Sequence, residues 1–288
     1  MMVHNQTNKR FLAHPKLSKY DPLKRIIYFD DFDEGINGWT ELIGNYEDSL
    51  NSLLPGYKDL RPPQLSSISM WDSGTVGSLD GTYALKIATR AKKGHQAASI
   101  KRTTFRHAGP LRLETYFTFK PEANVLSLSD TAVRSVGFLF DLQDSRERVM
   151  PHIRYLNSLN GQRQWKWQYK KDTVPFHDIG KRGETVSHYH LDPTGWLDIP
   201  GGDQKLCYNE IPTKHNWHYL RMDFDLKTMK YLAFQCNDRE FDVSGLDSIH
   251  IPAMKNLWCM LNLAFFAEAD EDRRVFFYLD SVLLSGDY

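Results

Sequence analysis

In the segment LRLETYFTF, Arg112, Glu114, Tyr116 and Thr118 fall on one side of a strand, while Leu111, Leu113, Phe117 and Phe119 mostly fall on the other. HIRYL places His152 and Arg154 together, and WHYLRMDFDL places Arg221 and Asp223 with Trp217 and Tyr219. Guanidinium groups offer a rigid fork of donors suited to carboxylates, phosphates or vicinal hydroxyls. Arg112, Arg154 and Arg221 converging on one groove would favour an anionic or highly hydroxylated ligand. Strand-to-strand ion pairs with Glu114, Asp141 or Asp223 fit the same pattern. QWKWQY puts Trp165, Trp167 and Tyr169 on one side. Such a row suits either a platform for the apolar faces of sugar rings or the core of a sandwich.

Glycoside cleavage needs two carboxyl groups flanking the bond, about 5–5.5 Å apart for retention and about 6.5–9.5 Å for inversion. Glu114 and Asp141 are the candidate catalytic pair, with Glu210 as a spare. His188 and His190 flank Tyr189, close to Glu184 and Asp192, so an extended chain turns both imidazoles the same way. That is compatible with metal binding or acid/base work, although such pairs are common. A lyase would use His188 or Tyr189 as proton abstractor, with Arg154 or Arg221 offsetting a substrate carboxylate. Asp31, Asp33, Glu34 and Asp280 could supply hard oxygen ligands for Ca²⁺. Turn-forming aspartates at strand ends account for them equally simply.

The elements that must position these groups are strands. From Tyr83 onward, runs of five to ten residues rich in aromatic and β-branched side chains are bounded by Gly, Pro, Asn or Asp. Helical spacing is confined to two weak stretches, 42–54 and 244–249. The expectation is an all-β chain of roughly ten to twelve strands in two packed antiparallel sheets. RMDFDLKTMKYLAFQCN reads as a hairpin turning at 225–228. Residues 1–25 read as an extended lead-in lying across the domain, and 26–288 as one β-sandwich domain with long loops at 34–80 and 172–203. IIYFDDFDEGINGW and VFFYLDSVLLSGDY are expected to pair and close the sandwich.

FDDFDEGINGW, LDGTYALKIAT, GFLFDLQD, NWHYLRMDFDLKTMKYLAFQCN and YLDSVLLS, in this order, resemble the concanavalin A-like lectin/glucanase group of jelly-roll sandwiches. Within that group they resemble uncharacterised intracellular bacterial members encoded beside sugar-utilisation enzymes. The resemblance implies a jelly roll with its ligand on the concave sheet, and a structural calcium near the acidic residues noted above. The Glu-x-Asp-x-x-Glu motif of laminarinase-type glucanases does not occur here, so their retaining mechanism does not transfer.

Lys plus Arg equals Asp plus Glu at 36 each, giving a formal net charge of zero. That disfavours nucleic acid and anionic membranes as partners, since both call for clustered positive charge. The three cysteines form no CxxC pair, which disfavours a disulfide framework. No apolar leader or membrane-length apolar run is visible, so a cytoplasmic protein is expected. The combined expectation is an oligosaccharide-binding protein, either cleaving its ligand as a hydrolase or lyase or binding it without catalysis. It requires no cofactor beyond a possible calcium and is compatible with a homo-oligomer.

Overall fold

Strands of alternating character dominate the chain, and no helix occurs among the described residues. The computed structural model describes residues 14–41, 62–67, 77–123, 128–174, 177–181, 184–190, 192–207 and 215–288. Sheet A orders β16 (Arg239–Phe241), β15 (Lys230–Cys236), β14 (His218–Asp225), β6 (Pro110–Pro121), β19 (Val275–Gly286), β4 (Ala84–Ala88) and β3 (Gln64–Ser66). Beside β4, β1 (Arg25–Asp30) also pairs with β19.

Sheet B orders β13 (Trp196–Asp203), β10 (Gln162–Lys170), β9 (His152–Leu159), β7 (Val133–Gln143), β18 (Met260–Ala269), β5 (Gln96–Thr103) and β2 (Trp39–Glu41). It is extended by β8 (Arg148–Met150) on β7 and β17 (Ile249–Ile251) on β8. A separate hairpin joins β11 (His177–Lys181) to β12 (Glu184–His188). Every pairing is antiparallel.

Period-two alternation turns one side of each central strand inward. Phe117 of β6 meets Phe138 of β7 edge-on at 5.3 Å and Phe277 of β19 at 5.9 Å. Trp167 of β10 meets Phe234 of β15 at 4.8 Å. These rings join the sheets into an antiparallel sandwich, as the alternation led us to expect. The 225–228 hairpin forms between β14 and β15, where Asp225 accepts from the Lys227 amide and the Thr228 hydroxyl. β9 turns into β10 through Asn160-Gly161, both at positive φ, the tight turn that suits the right-handed twist of its strands.

One expectation needs correction. The segments read as loops carry strands: β2 and β3 lie within 34–80, and β11, β12 and β13 within 172–203. Each is short or polar, so period-two apolar alternation did not mark it. Of the two stretches with weak helical spacing, 42–54 lies outside the described residues, and 244–249 forms no helix, in keeping with the all-β reading.

Candidate functional site

The outer face of sheet B, turned away from the core, carries an array of buried charge. Phe138 and Phe140 of β7, Tyr155 of β9 and Trp167 of β10 are inward, so Ser135, Asp141, Arg154, Gln168 and Lys170 come out on the other side. In β18 the same alternation sends Phe265 inward and Phe266, Glu268 and Asp270 outward.

Cations and carboxylates on this face are matched pair by pair. Arg134 donates to Glu268 at 2.7 Å and to Asp270 at 2.8 Å. Arg154 reaches Glu268 at 3.3 Å and Gln168 at 2.9 Å. Lys170 pairs with Asp192 at 3.1 Å, and Lys166 with Asp198 at 2.7 Å. Burial alone would raise the Asp270 carboxyl, but the Gly161 amide and Arg134 hold it below the usual carboxylate range. Asp192 and Asp198 are likewise lowered against the effect of burial, by Thr194 and Lys170 and by Lys166 and Gln168. Burial pushes the Arg154 guanidinium down to about 10 despite Glu268.

At the centre of this array stands Trp196, the first residue of edge strand β13. The Arg154 guanidinium lies 4.2 Å from the ring centroid and the Lys170 ammonium 5.1 Å. Phe266 packs against it at 6.1 Å, tilted by 40°. Gly137 explains how Phe266 can lie there, because a Cβ at that position would come within 2.0 Å of the Phe266 ring. The Trp196 Nε1 is buried and has no hydrogen-bond partner among the described residues.

Further along the face, Asp141 accepts two bonds from Arg148, at 2.8 and 2.7 Å, and lies 2.8 Å from His190 Nε2. Burial would raise this carboxyl, but Arg148 and His190 hold it far below its ordinary value. His152 sits between the carbonyls of Met150 and His190. Burial pushes its imidazole down to about 4, so at neutral pH it is uncharged and only one ring nitrogen donates. Asp141 pairs across to Asn262 and Ser135 to Glu268, so the two clusters are six residues apart along β18. That spacing is about 20 Å at strand rise.

Arg112, Glu114, Tyr116 and Arg221 instead occupy the outer face of sheet A. Glu114 and Asp141 therefore lie on opposite outsides of the sandwich and cannot flank one bond. The alternation within β6 holds as expected, but which sheet a strand joins is not written in its alternation. Arg112 forks onto Asp223 at 2.9 and 2.8 Å, and Arg221 approaches the same carboxylate at 3.4 Å. Arg112 thus makes the anticipated strand-to-strand ion pair, Arg221 reaches the same carboxylate from within its own strand, and no groove collects Arg112, Arg154 and Arg221.

Residues 14–24 form a strap across this second face. Tyr20 packs against Tyr116 and Phe29, the Asp21 amide donates to Glu114 at 2.9 Å, and the Asp21 carbonyl accepts from Arg112 at 2.6 Å. Burial raises the Glu114 carboxyl against the Asp21 and Tyr219 donors, and raises Asp280 to about 6. Glu114 is fully buried with one oxygen unpartnered, so the strap occupies the space a substrate would need.

Trp167 is core, its Nε1 donating to Gln204 at 2.8 Å, and it presents no platform. Trp165 is half-buried at a bulge in β10, with Lys205 4.8 Å over its ring, and packs against the same core. Both corrections have one cause: the alternate aromatics of β10 face the opposite sheet. Asp31 and Asp33 are taken up by Lys16, Asp33 also by the Thr82 and Tyr83 amides, and Asp280 by the Asp80 amide. No group of three or more candidate metal ligands occurs among the described residues. His188 lies in β12 opposite His177, with its side chain outside the described residues, as is Glu210.

Sequence reasoning passed over Arg134, Trp196, Phe266, Glu268 and Asp270. For the acidic pair a signal existed: FFAEAD alternates Phe266, Glu268 and Asp270 against Phe265, Ala267 and Ala269. Trp196 follows a polar stretch and gave no periodic sign.

Among solved structures, the chain is similar to an endo-β-1,4-glucuronan lyase from Trichoderma reesei (9% identity, TM-score 0.39, covering 91% of this chain and 96% of that one). It is also similar to the lectin UEA-II complexed with galactose (7% identity, TM-score 0.39, 91% and 100%). A third is the carbohydrate recognition domain of Emp47p (10% identity, TM-score 0.36, 93% and 100%). No curated protein matches the chain. The family described as Domain of unknown function (DUF6772) matches residues 7–288, and the chain belongs to that family.

Proposed function

We propose that this protein binds a neutral, hydroxyl-rich saccharide on the outer face of sheet B, around Trp196. The observation that carries this reading is the buried, unpartnered Trp196 Nε1 amid fixed ion pairs. A buried donor without an acceptor costs about 1–3 kcal/mol, which a ligand oxygen would recover. The surrounding charges are already mutually neutralised, so they favour a guest with donors and acceptors of its own over a polyanion. The Asp198 carboxylate, 54% exposed and engaged only by Lys166 and Gln168, keeps lone pairs for hydroxyl donors, and each guanidinium is held rigid by its partner.

Binding fits this face better than hydrolysis. The Asp141, Asp192, Asp198 and Asp270 carboxyls are all held low and are poor proton donors at neutral pH. The contact between His190 and Asp141 favours one alternative, in which an oriented imidazole abstracts a proton from a uronate-containing saccharide.

Calorimetric titration with neutral and uronate oligosaccharides separates these readings. We expect saturable binding of a neutral oligosaccharide, weakened about tenfold in Trp196→Phe, which removes a bond worth about 1.4 kcal/mol. Failure of every neutral sugar to bind, or unchanged affinity in that variant, would overturn the proposal. Formation of unsaturated product from a uronate substrate, lost in His190→Gln, would establish the alternative.

A further inference from the structure

We propose a second ligand site, separate from the saccharide face, in a cavity at one end of the sandwich. Its ligand class is a small molecule with an apolar body and one anionic group. The cavity has a volume of about 300 Å³ and opens among the β5–β6 connection, the β7–β8 turn, the β14–β15 turn and the approach to β18. That is the lower end of the range for small-molecule sites, about 300–1,000 Å³.

Its floor is the end of the inter-sheet core. Leu142 and Met229 are buried, and Leu226 and Phe105 pack against the same cluster. Trp258 stands at the mouth, 53% exposed, with the Arg106 guanidinium 4.8 Å from its ring centroid. An exposed indole beside a cation and above an aliphatic floor can grip a flat apolar group on one side and an acid on the other.

The polar lining divides into groups already engaged and groups that are not. Gln143 uses its amide on the Met254 and Leu257 backbone, and Asp144 caps its own turn and pairs with Arg146 at 2.9 Å. Arg106 and Lys227 line the cavity and have no carboxylate partner among the described residues. With Asp144 already neutralised by Arg146, those two cations set the sign of the site. An anionic head between Arg106 and Lys227 would leave its apolar body over Leu142, Leu226 and Met229. This arrangement differs from the saccharide face, where every cation named above has its carboxylate.

Naphthoate and neutral naphthalenemethanol form a matched pair of probes for calorimetric titration. We expect saturable binding of naphthoate, at least about tenfold tighter than the alcohol, and weaker as salt rises. The Arg106→Gln/Lys227→Gln double variant should bind naphthoate about tenfold less tightly and the alcohol unchanged. Ala108→Trp, at an exposed position lining the cavity, should remove binding of both. All three replaced residues are exposed, and an unchanged unfolding midpoint verifies that each variant is folded. Absence of naphthoate binding, its survival in Ala108→Trp, or full affinity in the double variant would each overturn the proposal.

Discussion

The two outer faces of the sandwich bury charge by opposite means. On sheet B the strands neutralise one another, with Arg134, Arg154, Glu268 and Asp270 forming a chain of contacts contributed by the sheet itself. On sheet A the face is finished by chain from elsewhere, because residues 14–24 supply Tyr20 and the Asp21 backbone to cover Glu114 and Arg112. The first arrangement is rigid before any ligand arrives, whereas the second depends on a separate segment seated by Leu17 and Tyr20 and tied by the Asp21 backbone. Preorganised polar groups lose little on binding a guest, which is why the intrinsic array, and not the covered one, is the better candidate site.

The sharpest way to break this comparison is to remove a cation from sheet B. Arg134→Met leaves Asp270 without its cation and Glu268 with only the 3.3 Å contact of Arg154, the two carboxylate side chains being 0% and 2% exposed. Loss of one partner of such a buried pair costs about 3–5 kcal/mol, read as a fall in unfolding free energy in urea. A loss under 1 kcal/mol would mean that the face is far wetter than described.

On sheet A the strain is of the other kind. Asp280 titrates at about 6 in the folded chain against an ordinary value of 3.8, because burial disfavours its charge. The folded state therefore holds its proton more tightly, and stability falls as pH rises from about 4 to about 6. Asp280→Asn cannot ionise and should gain on the order of 2 kcal/mol at pH 7 relative to the wild type, with no gain below pH 4. Unfolding free energies measured across that range check the sign; a gain at low pH instead would contradict the assignment. The ion pairs of sheet B follow the reverse rule. Asp192, Asp198 and Asp270 are lowered, so their contribution is present above about pH 4 and lost as pH falls below it.

The smallest effect belongs to the strap's outer end. Lys24 pairs with Asp287 at 3.1 Å while 73% exposed, so Lys24→Ala should change stability by less than about 0.5 kcal/mol. A larger change in thermal unfolding would show that the strap is fastened by its charges rather than by Tyr20.

These differences were only partly legible beforehand. The alternation in β6 correctly separated Arg112, Glu114 and Tyr116 from Leu111 and Leu113, because period two is a local property of an extended chain. The hairpin at Asp225 was legible for a similar reason, its turn being held by a side chain within the turn. Glu114 and Asp141 looked equivalent because each sits among apolar neighbours on a strand, yet the sheet each strand joins depends on partners far away in sequence. Tyr116 is covered by Tyr20, which comes from a stretch with little periodicity of its own. Trp196 depends on Arg154, Lys170 and Phe266 arriving from three other strands, and no local pattern encodes that meeting.

The position of β19 has a consequence for how the chain is made. It lies between β6 and the pair β1 and β4, so Arg25 of β1 finds its partner in Gly286. During vectorial synthesis, β1, β4 and β6 leave the ribosome long before the strand that joins them, each with a hydrogen-bonding edge open. Sheet A cannot assemble by simple accretion, and contacts so distant in sequence make for slow folding. Until β19 arrives, the open edges of β1, β4 and β6 are exposed to pairing with the wrong strand or with a neighbouring chain.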